Sequence, residues 1–148
     1  MIATPAAVHA IAPVCKGAQL SGRFAVVPGS AGAGNIVYRL TLRNTSQIAC
    51  TLTGLPKVQL LAKDKQKLPT HVVAAHPGRL AAVLVTLAPG GRAHADARFS
   101  PDVNGVGEMG RQCEPKAWWL RVLGKAFPVQ PATPVCEHGQ LQFDAYAR

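Results

Sequence analysis

The sequence predicts an all-β fold: an antiparallel β-sandwich of about seven to nine short strands, stapled by two disulfides. Three features point there. Several segments alternate strictly between apolar and polar residues, the period of a strand with one buried and one wet face. Glycine- and proline-rich turns separate those segments, and no stretch carries the spacing of an amphipathic helix. Four cysteines stand far apart at 15, 50, 113 and 136, none in a C-x-x-C pair.

In chain order, residues 19–27 make the first strand, with Gly22, Phe24 and Val26 on one face and Ser21, Arg23 and Ala25 on the other. The glycine-rich loop 28–34 follows. No Gly-Lys-Ser/Thr comes after it, and the next element reads as a strand, so the loop is a connection and not a phosphate cradle. Residues 35–64 are the stretch around which the chain is organised. Ile36, Tyr38, Leu40 and Leu42 point inward, while Val37, Arg39, Thr41 and Arg43 point outward. Asn44, Thr45 and Ser46 end this strand through local backbone bonding. A connection bearing Cys50 leads to the Gly54-Leu55-Pro56 break. A strand over 57–62 then resumes, with Val58 and Leu60 inward and Lys57 and Gln59 outward.

Residues 64–67 form a charged turn, and 68–75 a poorer strand placed at a sheet edge, broken by His76-Pro77-Gly78. The β-branched, apolar run 80–87 is expected to be buried more than most. Residues 92–99 alternate cleanly: Ala93, Ala95, Ala97 and Phe99 in, Arg92, His94, Asp96 and Arg98 out. A long loop spans 100–112. Residues 117–123 form a strand, 127–134 an extended proline-rich segment, and 141–146 the last strand. The many inward alanines require either sheets that approach closely or larger residues opposite.

With 148 residues the chain suits one domain with a real core, assigned to 15–148 behind an N-terminal tail at 1–14. No apolar run nears the roughly 20 residues needed to cross a bilayer. The N-terminus lacks a basic segment, and Pro5, His9 and Pro13 interrupt any apolar one, so it reads as a mature end. Val14-Cys15 does not fit a lipoprotein cleavage site, and lipid anchoring of a precursor stays open. Charged residues are 16% of the chain, and the net charge is +9. That balance favours an anionic polymer, a glycan or a negatively charged surface, against the plainer reading of charge that serves solubility.

The wide cysteine spacing argues against a zinc ribbon or a thioredoxin-type site. Four cysteines allow three pairings. Cys15–Cys50 with Cys113–Cys136 is favoured, because each bond then joins segments bordering predicted strands. Disulfides persist in oxidising compartments, which places the protein in the periplasm, the envelope or the medium. Four buried free thiols in a cytosolic protein are the competing reading.

A set of residues carries a family resemblance. It comprises Cys15, Leu40-x-Leu42-x-Asn44-x-Ser46, and Cys50-Thr51-Leu52-x-Gly54-x-Pro56-x-Val58-x-Leu60. Leu87-x-Pro89-Gly90, Cys113-x-Pro115-x-Ala117, Leu120-x-Val122 and Cys136 complete it. In this order the chain resembles the secreted domain of unknown function forty-two thirty-two, frequent in actinobacterial envelope proteins and lipoproteins. The resemblance implies an immunoglobulin-like sandwich, paired cysteines and export. It supplies no reaction and no catalytic residues.

Chemistry-bearing groups are few. His94-x-Asp96-x-Arg98 puts an imidazole, a carboxylate and a guanidinium on one strand face, which could serve a hydrolase or a metal; a solvated face with a cross-strand ion pair is the plainer reading. His9, His71, His76 and His138 show no metal-ligand rhythm, no Ser sits in a Gly-x-Ser-x-Gly elbow, and no cofactor is expected. In Trp118-Trp119, neighbours face opposite ways on a strand. Trp118, in phase with Leu120 and Val122, is expected as the inter-sheet plug. Trp119, in phase with Arg121, is expected outside, unless the proline-rich segment covers it. Trp119 and Arg121, with Arg23, Arg39, Arg43, Arg92 and Arg98, form the candidate binding surface. The expected function is a non-enzymatic envelope binding module whose partner is an anionic polymer, a glycan or an envelope protein, nucleic acid being less expected. A structural domain that assembles through a sheet edge is the alternative, and a hydrolase or metal protein using His94 and Asp96 is a third.

Overall fold

A computed structural model describes residues 12–31, 35–77, 84–100 and 116–148. Most of the expected tail, His9, the loop glycines at 32–34, the strand start at Leu80, most of the 100–112 loop and Cys113 lie outside the described residues. Among the described residues the chain is all-β, with two short 3-10 turns (Gly17–Gln19 and Glu137–Gly139) and no α-helix. No helix there is long and apolar enough to cross a membrane.

Ten strands are described: β1 (Leu20–Val26), β2 (Ile36–Asn44), β3 (Cys50–Thr53), β4 (Val58–Leu61), β5 (His71–Ala74), β6 (Leu84–Leu87), β7 (Arg92–Phe99), β8 (Ala117–Val122), β9 (Lys125–Thr133) and β10 (Gln140–Phe143). Eight of them form one sheet in the order β4-β8-β9-β1-β2-β7-β10-β5, and β3 pairs with β6 in a second. The Cys50-bearing connection is thus itself a strand. The sheet is mixed, which corrects the antiparallel expectation: β1 runs parallel to β9, and β5 parallel to β10. Parallel neighbours must be joined by long connections, so nothing local in the sequence announces them.

The outward and inward phases of β1, β2 and β7 follow the alternation. Large inward residues of β2 stand opposite the small ones of β7: Tyr38 faces Ala97, Leu40 faces Ala95, and Leu42 faces Ala93. All six are at most 1% exposed, so the alanines are filled from the neighbouring strand. Gly22 of β1 answers the other half of the packing problem. A Cβ there would stand 2.9 Å from both Leu42 Cδ2 and Phe127 Cε1, closer than side chains tolerate. Phe24 packs against Tyr38 and Phe143 with ring centroids 5.2 and 6.3 Å apart, and Tyr38 against Phe99 at 5.0 Å. Cys50, Leu52, Val85 and Leu87 bring the two-stranded sheet into this same core.

The Cys15–Cys50 disulfide is present and buried, joining the segment before β1 to β3. Around it Val14 bridges to Thr51, Cys15 N–H donates to the Thr51 carbonyl at 2.9 Å, and Thr51 N–H donates to the Pro13 carbonyl at 2.8 Å. The end of the expected tail is therefore paired to the sheet. Cys136 is buried and disulfide-bonded as well.

Three further expectations change. β6 is half-buried in pattern, with Leu84 and Thr86 exposed, because a two-stranded sheet covers it on one face alone. β10 stops at Phe143, after which Tyr146 and Ala147 fold back to bond Gly54 and His94. Trp118 is not a plug: it is 38% exposed. Pairing slips there, since Ala117 faces Thr133 while Trp119 faces Pro128. The inward phase moves from Ala117 to Leu120 and Val122, and neither indole lies in the core. β5 does sit at the sheet edge, as expected.

Candidate functional site

Register decides which outward side chains meet. Across β2 and β7, Arg43 stands opposite Arg92, Thr41 opposite His94, Arg39 opposite Asp96 and Val37 opposite Arg98. Across β1 and β2, Ser21 faces Arg43 and Arg23 faces Thr41, so Arg23 is the diagonal neighbour of Arg43. Strands lie about 4.8 Å apart and alternate residues about 7 Å, so Arg23, Arg43 and Arg92 share a patch roughly 12 Å across. All three are exposed. Among the described residues the ion pairs are Arg39–Asp96 and His76–Asp144, so these three arginines pair with no described carboxylate. Like charges set directly opposite cost stability.

Arg39 differs. Its Nε and Nη2 donate to the two Asp96 carboxylate oxygens at 2.7 and 3.1 Å. That hydrogen bonding, with the Asp96 charge, raises its pKa above the ordinary value. Trp119 and Arg121 lie on β8, which β9 separates from Arg23 on β1, and which β9 and β1 separate from Arg43 on β2. They sit instead beside β4, with Trp119 opposite Leu61 and Arg121 opposite Gln59. Two lysines of the turn after β4 cover the indoles: Lys63 Nζ lies 5.1 Å from the Trp118 ring centre, and Lys65 Nζ 4.7 Å from that of Trp119.

Below the arginine patch, a cavity of about 370 Å³ opens where β7, β10 and the end of β5 meet. His76, His94, Asp96 and Asp144 line it over a floor of alanines. His76 Nδ1 and Asp144 Oδ1 are 2.9 Å apart. An imidazole oriented by a carboxylate is half of a nucleophilic triad. Among the described residues no hydroxyl, thiol or amine side chain lines the cavity to complete it, and Asp96 is engaged by Arg39. No group of three His, Cys, Asp or Glu among the described residues is placed to hold a metal.

Sequence reasoning missed His76 with Asp144 and the two turn lysines. The first pair meets only through the parallel β5–β10 pairing, which sets Phe143 beside Ala74. The lysines carried one signal, a charged turn after a strand, but not its target.

The fold defines an all-β, disulfide-bonded domain. More particularly, the chain belongs to the family of the domain of unknown function DUF4232, which matches residues 15–141. No curated protein and no solved structure matches it.

Proposed function

We propose that this domain is a non-enzymatic binding module of the envelope or extracellular space that holds an anionic polymer on the outward face of β1, β2 and β7. One observation carries the reading: Arg43 and Arg92 face each other in register, Arg23 stands diagonally beside them, and no described carboxylate neutralises the three. Guanidinium pairs of this kind match sulfate, phosphate or carboxylate groups through forked hydrogen bonds. The oxidising compartment rests on the Cys15–Cys50 bond. Cys113 is the proposed partner of Cys136, giving the second staple of an immunoglobulin-like sandwich. The hydrolase reading lacks a nucleophile among the described residues that line the cavity, and β5 offers an edge of four described residues for assembly.

The test is calorimetric titration of the full chain with dextran sulfate at rising salt. Affinity is expected to fall linearly on a log–log plot as counterion release predicts. Arg43→Ala with Arg92→Ala should weaken binding roughly tenfold or more, since charged hydrogen bonds contribute about 1.5–3 kcal/mol each. Arg121→Ala, on β8 beyond β9, should weaken it less than the paired variant. Equal losses from both variants would refute the assignment.

A further inference from the structure

We infer that Trp118, Trp119 and the lysines of the turn after β4 form a second site, one that stacks a carboxylate-bearing sugar unit of an acidic polysaccharide. It uses none of the arginines of β1, β2 and β7, so it can fail or succeed independently of them.

The first observation is the slipped pairing between Ala117 and Trp119. An uninterrupted pleat would bury one of two adjacent tryptophans. Here both stay out of the core, Trp118 exposed and Trp119 half-buried. Two adjacent indoles both kept out of the core are unusual on a surface with no partner, and tryptophan is enriched where partners are gripped. The second observation is the turn that meets them. Lys65 N–H donates to the Ala62 carbonyl, Ala62 N–H to the Gln66 carbonyl, and Gln66 N–H to Asp64 Oδ1. Trp119 Nε1 donates to the Lys63 carbonyl at 3.3 Å, tying turn to strand. Lys65 itself holds the left-handed conformation (φ +69°) that favours glycine. The turn thus places two ammonium groups about 5 Å from two aromatic faces, a cation–π spacing.

An aromatic surface flanked by cations selects a ligand with both a stacking face and a negative charge. A pyranose ring presents its C–H groups to an indole, and a carboxylate on that ring reaches the lysines. A neutral sugar satisfies only the indoles, and a simple anion only the lysines. Nucleobases stack as well, but the Cys15–Cys50 bond belongs to compartments in which nucleic acid is not the resident polymer. A lipid surface fits less well, because Trp119 is half-buried and its Nε1 is tied to the Lys63 carbonyl, so it is not free to insert among hydrocarbon chains.

The chain has two tryptophans, both in this site, so its indole emission reports on this site alone. The full chain is titrated with oligogalacturonate, with a neutral maltooligosaccharide, with a single-stranded oligonucleotide and with anionic phospholipid vesicles. A saturable emission change is expected with oligogalacturonate, at least tenfold weaker with the neutral sugar. Lys63→Ala with Lys65→Ala, both at exposed positions, should weaken it at least tenfold, while Arg43→Ala with Arg92→Ala leaves the emission change in place. No response to oligogalacturonate, an unchanged response in the lysine variant, or an equal or stronger response to the neutral sugar, the oligonucleotide or the vesicles would each overturn the inference.

Discussion

Arg39 and Asp96 face one another across β2 and β7 and close two hydrogen bonds, at the border between the arginine patch and the His76–Asp144 cavity. The pair takes one guanidinium out of the anion-binding face. Asp96→Asn should therefore release it. The expected result is an affinity for dextran sulfate raised about two- to threefold, a gain below 1 kcal/mol. Stability should change by less than about 1 kcal/mol, because the pair is largely solvated, with side chains 49% and 28% exposed. Parallel calorimetric and urea titrations check both statements.

Asn44 is fully buried and its side chain is fully bonded. Nδ2 donates to the Ile48 and Leu87 carbonyls at 2.8 and 3.0 Å, and Oδ1 accepts from the backbone N–H and the hydroxyl of Ser46 at 3.0 and 2.7 Å. It ties the end of β2 to the end of β6. Asn44→Ala takes the buried donor from the Leu87 carbonyl, while the exposed Ile48 carbonyl keeps the Ser46 hydroxyl, a loss of about 2 kcal/mol by the usual cost of an unmade buried bond. A chemical denaturation midpoint measures it.

Tyr38 predicts an alkaline limit. Its hydroxyl donates to the Pro131 carbonyl at 2.6 Å, and burial pushes its pKa up to about 12 from 10.0, with Thr133 acting in the opposite direction. Burial raises Tyr146 as well. A raised tyrosine pKa means the folded chain keeps a proton that the unfolded chain releases. The contribution is complete below pH 10 and is lost as pH rises from there through about 12, for Tyr38 by up to about 3 kcal/mol. Tyr38→Phe should flatten part of that decline in a pH series of urea midpoints.

The Cys15–Cys50 bond closes a loop of 35 residues by sequence separation. Restriction of the unfolded chain by such a loop stabilises by about 4 kcal/mol. The variant with Cys15→Ala and Cys50→Ala should show that loss in guanidinium unfolding. An unchanged midpoint would mean that the pairing of Val14 with Thr51 alone secures the first segment.

What could be read from the chain depended on whether the deciding contact was local. The outward phase of Arg23, Arg39, Arg43, Arg92 and Arg98 was legible because alternation is local. That Arg43 lands on Arg92 is a matter of register between distant strands, which no periodicity encodes. Asn44 read as a turn residue that ends a strand. Its bond to the Leu87 carbonyl, which makes it a buried tie, needed β6 in place. Trp118 was misread because alternation presumes an unbroken pleat, and the slip beside it depends on how β9 pairs with β8. His76 and Asp144, 68 residues apart, meet through a parallel pairing that joins the end of the chain to its middle.

The most direct test of an anion-binding arginine face is a map of where the polymer touches. Isotope-labelled full chain is titrated with dextran sulfate and followed by heteronuclear NMR. The account predicts shifts centred on the guanidinium groups of Arg23, Arg43 and Arg92 and on the amide of Thr41, fading as salt is raised. Shifts centred on β5, no shift at these arginines, or no saturable shift at low salt, would contradict it.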